Sequence, residues 1–546
     1  MAFPEFTPTV PVLMRRGANR WGDHPLIVLG NRRLSYAEAE RESGLLARGL
    51  LAAGLGKGAR VGLWMPNGPD WVLAFLAAAR IGALVVPINT FFRARELRYV
   101  LRHADVSTLL CVDSVVRQDT LALLEEAAPE LTGQRAGALF APSLPCLRAV
   151  RVWGERTPRP AWASHGPSGL RALAESTPRA DEALLAAIED TVTPADPLVV
   201  IYSSGSTADP KGAVHSHGTV VRHSFQLNGY RDLRSDDRIY SPMPFFWVGG
   251  LVFTLFAALH AGATLVCEES FEPGRTLDLL ERERITLVAG WPHYGKAMRE
   301  HPSFGTRDLS AIRGGNLYDV LPGAARPADP ELRSNSLGMT ETCGPHTMDR
   351  MDQDLPEKLR SSFGRSVPGL EHRVVDPDTG EVLPPGRAGE ICVRGYSLMQ
   401  GLYKQEREQA FDAEGFYHTG DAGYFDGDGV LFFQGRLGEL IKTAGANVTP
   451  REVETVLLAQ PELLEAHVVG LADRDRGQNV AAALVLRDGA ALDADELRAR
   501  LRRELAAYKV PRHVFFLSRD ELPMTTSGKI DKRRLAAALS ERLAAG

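Results

Sequence analysis

Residues 201–217 read Ile-Tyr-Ser-Ser-Gly-Ser-Thr-Ala-Asp-Pro-Lys-Gly-Ala-Val-His-Ser-His, a pattern suited to holding a polyphosphate. Small residues such as Ser203, Ser204, Gly205 and Ser206 let backbone amides approach phosphate oxygens. The serine hydroxyls and Thr207 add donors, and Lys211 adds a positive charge. ATP is a fitting occupant. The loop is not of the Walker A type: Pro210 stands where a glycine should precede the lysine, and Gly212 follows it in place of Ser or Thr. Taken alone, the same composition also fits an ordinary surface turn.

The loop must be carried by something rigid. It follows an apolar run at 198–201 that is expected to be a buried strand. Helical apolar patterns at 38–53 and 71–80 alternate with aliphatic runs at 61–65, 83–87 and 108–112, the order of parallel strands joined by crossover helices, so the fold class is α/β. Residues 125–195, rich in Ala, Pro and Arg, read as a variable excursion leading to the loop. Near the end, strands at 465–470, 480–486 and 514–517 with helices at 451–458 and 493–505 form a small α+β domain. We therefore expect a large N-terminal domain of several subdomains at 1–437 and a C-terminal domain at 438–546. The hinge is placed near Gly438, where glycine absorbs backbone rotation at low steric cost.

A chain of 546 residues is too long for one core. Its net charge of −5, with no basic block, excludes a nucleic-acid partner. Five cysteines (Cys111, Cys146, Cys267, Cys343, Cys392) without a Cys-x-x-Cys pair argue against a zinc site or a disulfide framework and fit a reducing cytosol. The N-terminus lacks a basic region followed by an apolar one, and the apolar stretch 71–88 is interrupted by Arg80 and Gly82. A cytoplasmic protein without a signal peptide or transmembrane segment is expected. Two other groupings are set aside. His215-x-His217 with His223 lacks metal-ligand spacing, and Asp426-Gly427-Asp428-Gly429 lacks the later glutamate of a calcium loop and reads as a hairpin turn.

Downstream of the phosphate loop come Leu337-Gly338-Met339-Thr340-Glu341, Tyr417-His418-Thr419-Gly420-Asp421, Gly435-Arg436 with Ile441-Lys442, and Pro523-Met524-Thr525-Thr526-Ser527-Gly528-Lys529-Ile530. In this order the segments resemble the core motifs of the adenylate-forming superfamily: acyl-CoA synthetases, adenylation domains and firefly-type luciferases. Gly389-Glu390-Ile391-Cys392-Val393-Arg394-Gly395 and Leu34-Ser35-Tyr36 extend the likeness to nearly the whole chain.

The resemblance implies that a carboxylate attacks the α-phosphorus of ATP, expelling pyrophosphate, and that the acyl group of the adenylate then passes to a thiol. Cations placed beforehand where negative charge builds would supply most of the stabilisation. By the same resemblance, Lys529 bridges carboxylate and α-phosphate, Glu341 holds a magnesium ion and Thr340 meets the phosphate. Asp421 accepts the ribose hydroxyls with Arg436 beside it, and Leu337 with Gly338 borders the adenine. Coenzyme A enters past Lys442 and Gly445. The C-terminal domain closes for adenylation and rotates about Gly438 for thioester formation.

The acyl side is carried by Pro242-Met243-Pro244-Phe245-Phe246-Trp247-Val248-Gly249-Gly250-Leu251. So aromatic a cluster is also ordinary core. In the family it faces the carboxylate substrate, with Trp247 here at a position often held by a gating histidine. Phe245, Phe246, Trp247, Gly249, Gly250 and Met339 are thus the expected acyl contacts, and they favour an apolar chain or ring. Departures from the family pattern are Leu337 where an aromatic usually stacks on adenine, Ala208 for a usual glycine, Gly438 for Asp or Lys, and a short stretch between Gly315 and Asn335.

The resulting expectation is an ATP- and magnesium-dependent acyl-CoA synthetase for a fatty, aryl or alicyclic acid, with only small-molecule partners and a homodimer allowed. One rival is an acyl-adenylating ligase that loads a separate carrier protein or an amine; with Lys529 so near Gly546, no fused carrier domain is expected. The other is a non-catalytic nucleotide or acyl-adenylate binding protein.

Overall fold

The computed structural model describes the chain apart from residues 1, 2, 116, 117, 155, 157, 204–209, 324, 440, 444, 445, 449, 474–476, 506, 526–528 and 546, and apart from the side chains of Lys442, Ala446, Asn447 and Ala545. It divides into two compact units, one of Met1–Glu371 with Arg394–Tyr417 and one of His372–Val393 with His418–Gly546. The expected boundary at 437/438 falls inside the second unit, because the hairpin ending at Arg436 groups with the C-terminal elements and not with the residues before Glu371.

Two mainly parallel sheets organise the first unit. In the larger, the strands run Gly401–Leu402, Lys211–Ser216, Pro197–Ser203, Leu84–Pro87, Arg60–Trp64, Thr108–Val112, Ala149–Trp153 and Ser164–His165. The other runs Gly314–Gly315, Leu287–Val288, Arg238–Tyr240, Thr264–Cys267, Pro25–Leu29 and Arg32–Ser35. Residues 198–201 form a continuous apolar run because both faces of their strand are covered. Val199 and Ile201 join the core that contains Trp71 and Phe75, whereas Val200 and Tyr202 join the opposite core with Trp64 and Leu97.

The helix Pro69–Arg80 packs against strands of both sheets and is buried from Trp71 onward, which is why it is apolar on every side. Its buried charge, Arg80, is tied to Glu189, to Glu40 at 2.8 Å and to Ser43 at 3.0 Å. A buried guanidinium requires such a set of partners. The stretch 71–88 is thus a helix followed by the strand Leu84–Pro87, as expected, and among the described residues no helix is long and apolar enough to cross a membrane. The helix Tyr36–Ala52 starts two residues earlier than its apolar pattern, because Ser35 and Glu38 form a capping box. The segment 125–195 is more regular than expected: it supplies the strand Ala149–Trp153, the edge strand Ser164–His165, and the helices Pro167–Ser176 and Glu182–Asp190.

In the second unit, the strands Leu370–Val375, Gly389–Gly395, Tyr417–Phe425 and Leu431–Arg436 make one sheet. The turn at Asp426–Gly429 joins the last two, its Asp426 carboxylate accepting from the Asp428 and Val430 amides at 2.9 Å each. A second sheet is built on the long pair Leu463–Asp473 and Gly477–Leu486, flanked by His513–Phe516 and by the hairpin Ile441–Thr443 with Ala446–Val448. The helices Pro450–Leu458 and Ala494–Leu501 complete its core.

Candidate active site

The strands Pro197–Ser203 and Lys211–Ser216 pair antiparallel, with Ser203 opposite Lys211 and Tyr202 opposite Gly212. The expected phosphate loop is therefore the connection of a β-hairpin, whereas a Walker A loop leads into a helix. Ser204, Gly205, Ser206, Thr207 and Ala208 lie outside the described residues. Lys211 stands half-buried at the hairpin mouth and has no ion partner among the described residues. Gly212 lies so close under the neighbouring strand that a Cβ would come within 2.6 Å of Val200.

Thr340 and Glu341 sit in a tight turn between the strands Ser336–Met339 and Gly344–Met348. The Cys343 amide donates to the Thr340 carbonyl at 3.1 Å. The Thr342 hydroxyl braces the turn by donating to the Gly344 carbonyl at 2.7 Å and accepting from the Met339 amide at 3.1 Å. Gly338 is required for strand closeness, since a Cβ there would meet the Gly344 carbonyl carbon at 2.5 Å. Leu337 is buried in the strand. His215, on the strand that begins with Lys211, places Nε2 2.8 Å from the Thr340 carbonyl. It thereby ties the lysine strand to the turn that carries Thr340 and Glu341, a positioning role the sequence reading missed.

His215, His217 and His223 do not converge on a metal. Each has its own partner: the Thr340 carbonyl for His215, the Val10 amide at 3.2 Å for His217, and the Pro345 carbonyl at 2.9 Å for His223. Burial pushes their pKa values down to about 4, 3 and 3, and that of His260 down to about 4, from an ordinary 6.5. The unfolded chain binds protons on these groups below about 6.5 while the native state does not, so their stabilisation is lost as pH falls from there toward the folded values. Lowered carboxylates such as Asp237 act only further into acid, and the raised Glu268 opposes with the opposite sign. We expect a melting temperature lower at about pH 5 than at about pH 7.5 by on the order of 10 °C. Thermal unfolding followed by circular dichroism checks this; a flat profile across that window would contradict the buried neutral histidines.

In the acyl segment, Asn67 holds the chain at two points, donating to the Met243 carbonyl at 2.9 Å and accepting from the Phe245 amide at 2.8 Å. Phe245 turns into the core and meets Trp71 edge-on at 5.1 Å. Phe246 and Trp247 instead join an aromatic array with the exposed Phe91 and with Trp291, at ring separations of 5.1 to 6.3 Å. Gly250 is packed under Pro244, whose carbonyl oxygen would lie 2.1 Å from an added Cβ, and Gly249 faces the Met243 sulfur at 3.1 Å in the same sense. Met339 is half-buried at the start of the Thr340–Glu341 turn. Apart from this segment, a cavity of about 220 Å³ opens beside Gly314-Gly315-Asn316, lined by Phe253, Val288, Tyr318 and Met351.

In the second unit, Asp421 and Arg436 are cross-strand partners in register, with Nε 3.0 Å from the carboxylate. Asp421 is 3% exposed. Thr419 supports both, its hydroxyl accepting from the Asp421 amide at 3.0 Å and its carbonyl accepting from Arg436 Nη1 at 2.8 Å. Lys529 is held through its backbone by Thr525 at 2.7 and 3.1 Å. Its side chain is exposed and has no ion partner among the described residues. Gly438 lies in the turn Leu437–Glu439, where an added Cβ would meet nothing within 4 Å. The Lys442 side chain and Gly445 lie outside what the structure describes; the Lys442 backbone is in the hairpin strand Ile441–Thr443.

Comparison with known proteins adds to these observations. Residues 14–403 match the AMP-binding enzyme family model, and residues 452–529 match the model of the AMP-binding enzyme C-terminal domain. YngI of Bacillus subtilis, a protein that bears an acyl-CoA synthetase name, is 31% identical over 540 residues, covering 96% of each chain. The mitochondrial medium-chain acyl-CoA ligase ACSF2 of Mus musculus is 31% identical over 557 residues, covering 98% of this chain and 88% of the relative. Among solved structures, ATP-bound MatB from Rhodopseudomonas palustris aligns with a TM-score of 0.77 at 26% identity, over 98% of this chain and 99% of its own. Motif order, fold and these matches agree: the chain belongs to the AMP-binding enzyme family of adenylate-forming enzymes.

Proposed function

We propose that this protein is an AMP-forming acyl-CoA synthetase that activates an apolar carboxylic acid with ATP and transfers the acyl group to coenzyme A. The observation that carries this reading is the match along nearly the whole chain to a medium-chain acyl-CoA ligase. Lys211 and Lys529, both without ion partners among the described residues, are charges available to an anionic ligand. The hairpin loop after Ser203 receives the phosphates, and the Asp421–Arg436 pair receives the ribose, since an ionised carboxylate can accept both hydroxyls. Leu337 and Gly338 border the adenine.

Lys529 meets the carboxylate and the α-phosphate in the transition state, where its charge acts on the oxygen at which negative charge develops. Thr340 donates to a phosphate oxygen, its carbonyl already engaged by His215. Glu341, an oxygen donor on the same braced turn, suits a hard cation and would hold magnesium, which when bound neutralises phosphate charge. After adenylation, rotation at Gly438 brings the segment of Lys442 and Gly445 to the adenylate, and the coenzyme A thiol enters along it. A glycine there absorbs backbone rotation at low steric cost.

Two places can seat the acyl group, the aromatic array at Trp247 and the cavity beside Gly315. The array is favoured, because Trp247 is half-buried against Phe91, Phe246 and Trp291 and truncation would enlarge an apolar recess. Trp247→Ala is accordingly expected to shift kcat/KM toward bulkier acids by about tenfold, the effect of one or two methylene groups in an apolar pocket. Steady-state kinetics over straight-chain, aryl and alicyclic acids measures it; an unchanged profile would move the seat to the Gly315 cavity. The acceptor is tested by identifying products by mass spectrometry after incubation with acid, ATP and either coenzyme A or an amine. The acyl-CoA thioester is expected, and an amide alone would overturn the proposal.

A further inference from the structure

Two segments of the motif series, Gly389-Glu390-Ile391-Cys392 and Tyr417-His418-Thr419-Gly420-Asp421, lie on neighbouring strands of the sheet in the second unit. Side chains two apart on a strand share a face, so Glu390 and Cys392 project to the same side. His418 meets them there: its Nδ1 lies 2.8 Å from Glu390 Oε2 and 3.5 Å from Cys392 Sγ. One potential ligand atom from each of the three lies within 4.8 Å of the others. Cys392 is buried, Glu390 is half-buried, and the His418 side chain is 42% exposed, so the thiol forms the floor of the cluster and the imidazole its mouth.

We propose that Glu390, Cys392 and His418 form a binding site for a divalent transition-metal ion, with zinc as the best match. A single imidazole nitrogen faces both a sulfur and a carboxylate oxygen, and a cation at that point takes all three as ligands. With Zn–S about 2.3 Å and Zn–N about 2.0 Å, tetrahedral ligand atoms S and N stand about 3.6 Å apart, and N and O about 3.3 Å. The observed sulfur–nitrogen separation of 3.5 Å already meets this, and a small turn of the exposed imidazole opens the 2.8 Å nitrogen–oxygen contact. The carboxylate is oriented for the task, since its other oxygen, Oε1, accepts from the Gly420 amide at 3.0 Å. Such outer contacts fix the direction in which a ligand atom points.

A thiolate, an imidazole and one carboxylate oxygen select a borderline-soft ion over magnesium or calcium, which take oxygen ligands. Binding releases the thiol proton to solvent, while any proton on Nδ1 of the neutral ring moves to Nε2. The fourth position, on the exposed side of His418, is left for water. The cysteines contain no Cys-x-x-Cys pair, and the grouping arises only because strands 26 residues apart in sequence become neighbours.

The test uses the full chain, reduced and freed of metal with a chelator. Titration with cobalt(II) should give one ion per chain and a thiolate-to-cobalt charge-transfer band in the near ultraviolet, and zinc should displace it. Cys392→Ser should abolish the band and weaken zinc binding by more than about 100-fold, above the 10- to 100-fold typical of losing an outer contact. His418→Ala, at an exposed position that spares the fold, should weaken zinc binding comparably and decides the matter if the serine variant does not fold. No thiolate–cobalt band, or a band and stoichiometry that persist in His418→Ala, would overturn the proposal. Because metal binding itself is read, failure here leaves the adenylation reading untouched.

Discussion

Replacing Lys529 by alanine is expected to lower acid-dependent pyrophosphate release by about 10²- to 10³-fold, the loss seen when one preorganised donor is removed from a developing charge. The side chain is exposed, without an ion partner among the described residues, and its backbone is held by Thr525, so the substitution removes charge and leaves the fold. Reaction of a supplied acyl-adenylate with coenzyme A should suffer far less, because the α-phosphate is then the leaving group and the small domain has turned. The two half-reactions, measured separately by pyrophosphate release and thioester formation, check this. Equal losses in both would remove the assignment of Lys529 to adenylation and with it the two-conformation scheme.

Asp421→Asn should raise the KM for ATP by about 30-fold or more, with a smaller change in kcat. The carboxylate is almost fully buried against Arg436, and a hydrogen bond from a ribose hydroxyl to a charged acceptor is worth about 1.5–3 kcal/mol. The asparagine keeps the shape but leaves the guanidinium without its counter-charge and offers the ribose one neutral acceptor. The ribose contact exists in the ground state and the transition state alike, so the loss falls on binding. Steady-state kinetics over ATP concentration measures it. An unchanged KM would mean that the pair is a structural brace of the hairpin and does not meet nucleotide.

What could be read from the residues was what has a local signal. The apolar run 198–201 and the helices near Tyr36 and Pro69 declare themselves by periodicity, and Asp426–Gly429 by turn chemistry. The strand that begins at Lys211 is less legible, since Lys-Gly-Ala-Val-His-Ser owes its place to pairing with Ser203 and Tyr202 and not to strong propensity. Residues 125–195 hide the strands Ala149–Trp153 and Ser164–His165, the last two of their sheet, because short strands near a sheet's rim carry little apolar alternation. Long-range polar contacts leave no pattern at all. Asn67 reaches Met243 across 176 residues and His215 reaches Thr340 across 125, contacts that no local spacing announces. The cluster of Glu390, Cys392 and His418 belongs to the same class. Phe245, by contrast, reads as part of an aromatic pocket wall and packs as core against Trp71, a distinction that side-chain direction makes and sequence does not.

The central claim is adenylation of an apolar acid followed by transfer to coenzyme A. It is tested most directly by pyrophosphate release from ATP across straight-chain, aryl and alicyclic acids, each with and without coenzyme A. Release that requires an acid and is accelerated by coenzyme A is the predicted result. Absence of release with every acid, or release indifferent to coenzyme A, would contradict it.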